Sequence, residues 1–519
     1  MEKKLHLVAN LCFVSLFIGA TNHALWLLLF LFFPLYLFIG FLINTWLVAG
    51  GFAWRGTPAS GCTIPGPIGW PVLGSITVMG PLAHRKLAKI SAALGANHLM
   101  ALSFGTTRVV ISSHPDTAKE ILSSCAFADR PPKEAARLLM FERAIGFAPS
   151  GDYWRQLRRL ALTHLFSPRR ITNLEVLRQR IAGEMLEKVG KEMNERGIVE
   201  LRVILQNDSL NSMVGSVFGS FVGAKREELV RMVKEGYDLI GMFNLSDHLP
   251  LGFLDVQGLG ERCRKLADKV KAVVGEIIKE RRRTHADEEP KGDDFLTALL
   301  SLPSEEQLSH SDAIAVLWEM IFRGTDTVAI VMEWIMTRMV LHPDVQAKVQ
   351  QELDSVVGNS RTVRDSDITN LPYLQAVVKE VLRLNPPGPL LSWARLAIRD
   401  VQVGKYLIPE GTTAMVNMWA ITHDGSIWKD PWEFKPDRFL EEEVSVMGSD
   451  LRLAPFGSGR RVCPGKTLGL ATVHLWVAHL LHHFNWVVLK SVDLSEHLHL
   501  SLEKKKPLQC QAFPRNPCP

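Results

Sequence analysis

A mainly α-helical domain with small β-sheets, carried behind an apolar N-terminal anchor, is the fold class this sequence predicts. Three observations lead there. Most segments from residue 75 onward repeat apolar residues at helical spacing. β-prone runs are short and fall in only two places, and residues 5–54 contain no Asp, Glu, Lys or Arg. At 519 residues and 47% hydrophobic, the chain can bury a large core. A net charge of +5 with 22% charged residues is too mild for a nucleic-acid partner, which would demand a concentrated basic face.

The anchor comes first, over residues 1–54. Trp26 to Ile43 is apolar and long enough to cross a bilayer, which sets the main span at about 25–45. Pro34 kinks such a span without preventing it. The run from Leu5 to Ala20 is shorter and carries Asn10, so one span and two both stay open. The apolar stretch runs far past the core of a cleavable signal. Arg55, Arg85, Lys86 and Lys89 follow it, and the positive-inside bias places the large domain on the cytosolic side of the membrane. The seven cysteines show no paired spacing, as in a reducing compartment. Residues 55–74 contain Ile64-Pro-Gly-Pro-Ile-Gly-Trp-Pro-Val-Leu-Gly74, too rich in proline for a helix and stiff enough to act as a hinge.

The domain itself spans 75–519. Helical periodicity predicts helices over Asp152–Leu165, Leu174–Asn194, Gly260–Arg283, Asp312–Leu341, Asp344–Val357 and Tyr373–Leu384. Strands are predicted within Met100–Ser112, turning near Gly105-Thr106-Thr107, and within Leu396–Val416. The charged stretch Glu280–Asp294 reads as a solvated loop.

Near the C-terminus stands Phe456-Gly-Ser-Gly459-Arg-Arg461-Val-Cys463-Pro-Gly465, opening onto a helix-like run from Lys466. Glycines let backbone approach a flat group closely. Arg461 offers a fixed cation, and a helix N-terminus favours an anionic sulfur. These are the requirements of a haem-thiolate ligand loop, in which the thiolate pushes electron density that favours O–O cleavage. A buried structural cysteine in a glycine-rich turn is the bland alternative. The segment resembles the cysteine loop of the cytochrome P-450 superfamily, whose pattern is met at Phe456, Gly459, Arg461, Cys463 and Gly465.

The resemblance extends upstream in the family's order. Glu380-Val-Leu-Arg383 followed by Pro436-Asp-Arg438-Phe439 is similar to the family's paired segments, which implies a structural ion triad of Glu380, Arg383 and Arg438. Alone, such a Glu-x-x-Arg spacing is more often a solvated surface pair. Asp437 stands where the family usually has glutamate. Trp154-Arg-Gln-Leu-Arg158 places two donors one helical turn apart, and the family uses this pair on a haem propionate; Trp154 as simple core is the alternative. Arg395 resembles a further propionate contact. Arg155, Arg159, Arg169, Arg170 and Lys466 form a basic set, which in the family docks an acidic electron donor.

Within Asp312–Leu341 lies Phe322-Arg-Gly324-Thr-Asp326-Thr327. Glycine inside a helix costs about 1 kcal/mol against alanine, so something requires it. The match to the family's oxygen-activating box implies that Gly324 widens a groove, Asp326 supplies protons and Thr327 holds the oxygen species, a reaction that needs protons inside an apolar site. Threonines that merely bond back within the helix are the alternative. Arg323 departs from the box, where alanine or glycine is usual. Glu319, one turn earlier, offers it an intrahelical partner, and a substrate carboxylate is the other partner to weigh.

Together the motifs resemble a membrane-anchored cytochrome P-450 monooxygenase, most like the plant family 78, subfamily A enzymes, the group with KLUH- and PLASTOCHRON-type regulators of organ growth. That resemblance implies haem b as cofactor, O2 and a small apolar substrate such as a fatty acid, NADPH-cytochrome P-450 reductase as electron donor, and membrane lipid around the anchor. A haem-thiolate isomerase or dehydratase, or a non-enzymatic haem sensor or scaffold, are the alternatives; NADPH-dependent oxygen uptake separates them.

Overall fold

The computed structural model describes residues 30, 32–40, 47–55, 63–219, 223, 225–249, 255, 257–287, 293–391 and 394–515. Most of the expected anchor therefore lies outside the described residues. Residues 32–40 are helical and exposed, and among the described residues no helix is long and apolar enough to cross a membrane.

The fold is organised around the helix His310–Leu341, which is buried along most of its length, Trp318 and Trp334 included. A helix apolar nearly all round must be enclosed by others. Ser309 starts it, its Oγ accepting from the Asp312 N–H at 3.1 Å, which satisfies one of the donors a helix start leaves open. The helices Leu201–Phe218, Leu259–Asp287, Pro372–Leu384 and Lys466–His483 pack against it. All six predicted helices are present, each displaced by no more than a few residues at its ends.

The strands Met100–Phe104 and Thr107–Ser112 pair antiparallel about a turn at Gly105. The second runs parallel to Thr413–Val416, and Arg395–Leu396 completes a four-stranded sheet. The proline-rich segment is not a free linker where it is described. Pro65 O accepts from Ala101 N at 2.9 Å, and a Cβ on Gly66 would stand 2.0 Å from Ala101 O, so only glycine permits this approach. C-terminal strands at Phe484–Val488 and Gln509–Pro514 form a second sheet with Val199–Glu200, none of which periodicity predicted.

The charged stretch after residue 280 departs from expectation. The helix continues through Asp287, and Arg281 is buried against Asp294 and Thr297 at 2.8 and 2.6 Å. The arginine caps a packed corner beside Phe218, to whose carbonyl it also donates at 2.6 Å. Composition suggested solvent, but a buried guanidinium is stable once its donors are matched.

Candidate active site

The ligand loop and the central helix meet at a cavity of about 280 Å³. Phe456, Arg461, Cys463 and Gly465 form part of its wall, and Gly324 and Thr327 another part. Gly459 holds the loop in place: its φ is +66°, and a Cβ there would lie 2.1 Å from the Leu122 carbonyl oxygen. Cys463 N–H donates to Phe456 O at 3.0 Å, closing the loop on itself. Burial pushes the Cys463 thiol up, while Arg323, the Gly465 N–H, Arg158 and Lys466 favour the thiolate.

Five arginines line the same cavity, Arg130, Arg158, Arg323, Arg395 and Arg461. Arg461 donates to the carbonyls of Ala128, Ile145 and Ala148 at 2.9, 3.0 and 2.7 Å, with its guanidinium 4.3 Å from the Trp154 ring centroid. Burial, with Arg158 and Arg323 nearby, brings its pKa down to about 10 against the pull of Asp129 and Glu319. Arg395 donates to Ser458 O at 3.1 Å and is lowered to about 9 by burial, then by Arg461 and Arg158. Arg158 donates to Val462 O at 2.7 Å, directly before the cysteine. Trp154 lies behind the wall, its indole N–H donated to Ile145 O at 2.9 Å. So Arg158, Arg395 and Arg461 line the cavity, whereas Trp154 acts through a peptide that Arg461 also grips.

Arg130 was missed by the sequence reading. It donates to Gly146 O and Ala394 O, both at 3.1 Å. Arg130-Pro131-Pro132 carries no local sign of a cavity residue; only folding brings it to the loop 145–148.

Glu380, Arg383 and Arg438 come together as predicted. Glu380 accepts from Arg383 at 2.7 and 2.9 Å and from Arg438 at 3.2 Å, with Glu380 and Arg383 fully buried. Arg383 also donates to the carbonyls of Thr422, Pro431 and Glu433, which ties the helix to the chain leading into the ligand loop. Asp437 stays outside this network, near Lys348.

On the central helix the four residues Gly324 to Thr327 do different things. A Cβ on Gly324 would come within 2.6 Å of the end of the Met213 side chain, so at this point of the cavity wall the glycine leaves room that Met213 fills, in place of the open groove expected. Thr325 bonds back to Ile321 O at 2.7 Å, while Thr327 is exposed to the cavity. Asp326 points toward Ser501 and Gln206, which hydrogen-bond it; burial, then Glu503, pushes its carboxyl up to about 7. Glu319 is buried and accepts from the N–H groups of Ile145 and Gly146 at 2.5 and 2.7 Å and from Arg323 at 3.2 Å. Of the basic set, Arg155 pairs with Asp152, Arg159 with Glu306 at 2.8 Å and Arg170 with Asp293, and Lys466 donates to Met447 O.

These residues fit haem: a thiol on a glycine-shaped loop, arginines for two propionates, and apolar walls supplied by Phe456, Leu468, Val328 and Val331. The Cytochrome P450 family model matches residues 64–512. The chain is 54% identical to Cytochrome P450 78A5 of Arabidopsis thaliana over 476 residues, covering 89% of this chain and 91% of that one. It is 50% identical to Cytochrome P450 78A3 of Glycine max, covering 98% and 99%. Flavonoid 3'-monooxygenase CYP75B137 of Crocosmia x crocosmiiflora is 35% identical, covering 87% and 92%. Among solved structures, a zebra fish cytochrome P450 with progesterone superposes with a TM-score of 0.72 at 25% identity, covering 83% of this chain and 99% of that one. The chain therefore belongs to the cytochrome P450 family, within subfamily 78A, and its cofactor is haem.

Proposed function

We propose that the chain is a membrane-anchored monooxygenase that inserts one atom of O2 into a small apolar substrate, a fatty acid being the leading candidate, with output in plant organ growth. The observation that carries this reading is Thr327 exposed to the cavity with Asp326 next to it near neutral pKa, facing Ser501 and Gln206. An acid that titrates near pH 7 can both give and recover a proton, and Thr327 can pass that proton into the apolar space. Haem, when bound, supplies the oxygen chemistry; the chain supplies the ligand Cys463, the proton path and the pocket. Electrons come from NADPH-cytochrome P-450 reductase, for which the exposed Arg155, Arg159 and Arg169 offer a steering face. The uncharged N-terminal stretch supports an anchor in the endoplasmic reticulum membrane with the domain on the cytosolic side. A relative named as a monooxygenase supports the reaction class.

The test is NADPH-dependent oxygen uptake with added reductase, in wild type and Thr327→Ala. NADPH consumption should persist in the variant while product per NADPH falls at least about tenfold, since a positioned proton-transfer group is worth about a hundredfold or more. Equal coupling in the two proteins would remove Thr327 from the reaction.

A further inference from the structure

We infer that the Tyr237 hydroxyl is a positioning group for the proton path: it enters the hydrogen-bond ladder of the central helix between Phe322 O and Asp326 N–H, and so fixes the turn that carries Asp326 and Thr327. The inference rests on the monooxygenase reading and adds to it a residue on another helix that no motif marks.

Three observations carry it. The first is the pair of atoms the hydroxyl meets. Tyr237 Oη donates to Phe322 O at 2.5 Å, and the Asp326 N–H hydrogen-bonds the same oxygen. In an α-helix these two groups are partners, the N–H of one residue bonding the carbonyl four residues before it. A side-chain hydroxyl that gives to one and receives from the other stands in a single rung of the ladder, and such an insertion bends a helix locally. Burial, then the nearby Asp326, pushes the phenol well above its usual range, so the hydroxyl keeps its proton and stays a donor.

The second is the turn itself. Thr325 Oγ1 donates back to Ile321 O at 2.7 Å, so the successive carbonyls of Ile321 and Phe322 each receive a side-chain hydroxyl. Back-bonding of that kind also bends helices. Gly324, between these carbonyls and Asp326, brings no side chain to stiffen the turn. Thr327 follows directly and lines the cavity together with Tyr237. A tie from outside the helix is then what decides where Asp326 and Thr327 point.

The third is how firmly the tyrosine is held. Its ring lies stacked on Phe322, with centroids 4.5 Å apart and planes 15° from parallel. A Cβ on Gly236 would fall 2.8 Å from Phe322 Cε2, and Phe322 is fully buried, so glycine at 236 is what lets the helix Lys225–Gly241 bring Tyr237 this close. Stacking fixes the ring whether or not it bears oxygen. Tyr237→Phe therefore removes the hydroxyl and leaves the packing.

The experiment compares wild type, Tyr237→Phe, Thr327→Ala and the double variant, each loaded with haem and showing the carbon monoxide band of thiolate ligation. Without turnover, hydrogen exchange of the segment 322–328 should change at least about threefold in Tyr237→Phe, while that of 330–340 stays within about twofold and Tm within about 2 °C of wild type. With reductase and NADPH, and decanoic or hexadecanoic acid as probe, Tyr237→Phe should consume NADPH at a rate within about twofold of wild type but yield at least about threefold less product per NADPH, since a small misplacement of a reacting group is costly. The double variant should couple no worse than Thr327→Ala, because the hydroxyl acts only through the turn. Gly236→Ala, which keeps the hydroxyl but drives its helix away, should shift the exchange in the same direction as Tyr237→Phe. Unchanged exchange would refute the insertion; changed exchange with unaltered coupling, or coupling losses that add in the double variant, would refute the role. If wild type takes up oxygen but oxidises neither acid, peroxide released per O2 consumed is read in place of product and should rise in Tyr237→Phe, an equal share refuting the role. Absence of NADPH-dependent oxygen uptake from wild type would overturn the monooxygenase reading and this inference with it.

Discussion

Glu319→Gln should loosen haem, whereas the chemically matched Glu333→Gln should not. Both glutamates are buried on the central helix, and each accepts from a peptide N–H and from an arginine. Glu333 takes Leu508 N–H at 2.8 Å and Arg202 at 2.9 Å, away from the cavity. Glu319 takes Ile145 N–H, Gly146 N–H and Arg323. A glutamine at 319 has one carbonyl oxygen for donors that now use two, so its amide must face Ile145 N–H or Gly146 N–H. Losing one charge-assisted bond costs about 1.5–3 kcal/mol, and the loss of charge opposite the partly exposed Arg323 adds about 0.5 kcal/mol. With an unfolding entropy of about 2.1 cal/mol/K per residue, a chain of this size loses roughly 2–3 °C in Tm. Glu333→Gln should lose a similar amount. The difference lies in what the peptides do next. Ile145 O receives Trp154 and Arg461, and Gly146 O receives Arg130. Displacing this loop moves three donors of the haem environment at once. Haem transfer to an apo-globin acceptor should therefore quicken about tenfold in Glu319→Gln, equivalent to about 1.4 kcal/mol, and stay within about twofold in Glu333→Gln. Equal transfer rates in the two variants, with equal Tm losses, would refute the reasoning.

Two further outcomes are expected. Burial depresses His248, His423, His474 and His479 from 6.5 to about 4, so the folded chain resists protons that the unfolded chain accepts; stability is full above pH 6.5 and is lost as pH falls toward 4. Each contributes up to about 1.4 kcal/mol per pH unit in that window, and burial lowers His114, His164, His310, His342 and His483 in the same sense; Asp326, raised to about 7, and Asp208, Asp247, Glu333, Glu352 and Asp365, also raised, oppose them, so Tm should fall from pH 7 to 5 with a slope well below the histidine sum, and a flat or rising profile would contradict this. Glu380→Gln should cost about 3–5 kcal/mol by leaving buried Arg383 without its carboxylate, and the yield of folded, haem-loaded protein should fall sharply; normal yield and Tm would remove the triad from the account.

The helices were legible because burial on one face writes a local period, and the ligand loop because glycine, arginine and cysteine are each needed at a fixed offset. Glu380 and Arg383 were legible only through their order ahead of Arg438, since the spacing alone occurs elsewhere as a surface pair. What escaped was written at long range. Arg130 and the 145–148 peptides reach the cavity through loops without periodicity, and Leu500 and Ser501 arrive on a hairpin far along the chain from the central helix. Trp154 was placed correctly on its helix, but nothing local tells that its N–H goes to Ile145 O. Arg281 looked solvated because its neighbours are charged, although Asp294 and Thr297 enclose it.

The decisive measurement is the carbon monoxide difference spectrum of ferrous Cys463→Ser beside wild type. Wild type should show the red-shifted band of thiolate ligation and the variant should lose it while still folding, as judged by far-UV circular dichroism. A folded variant that keeps the band would mean that another residue holds the iron, and the active site built on Cys463 would be wrong.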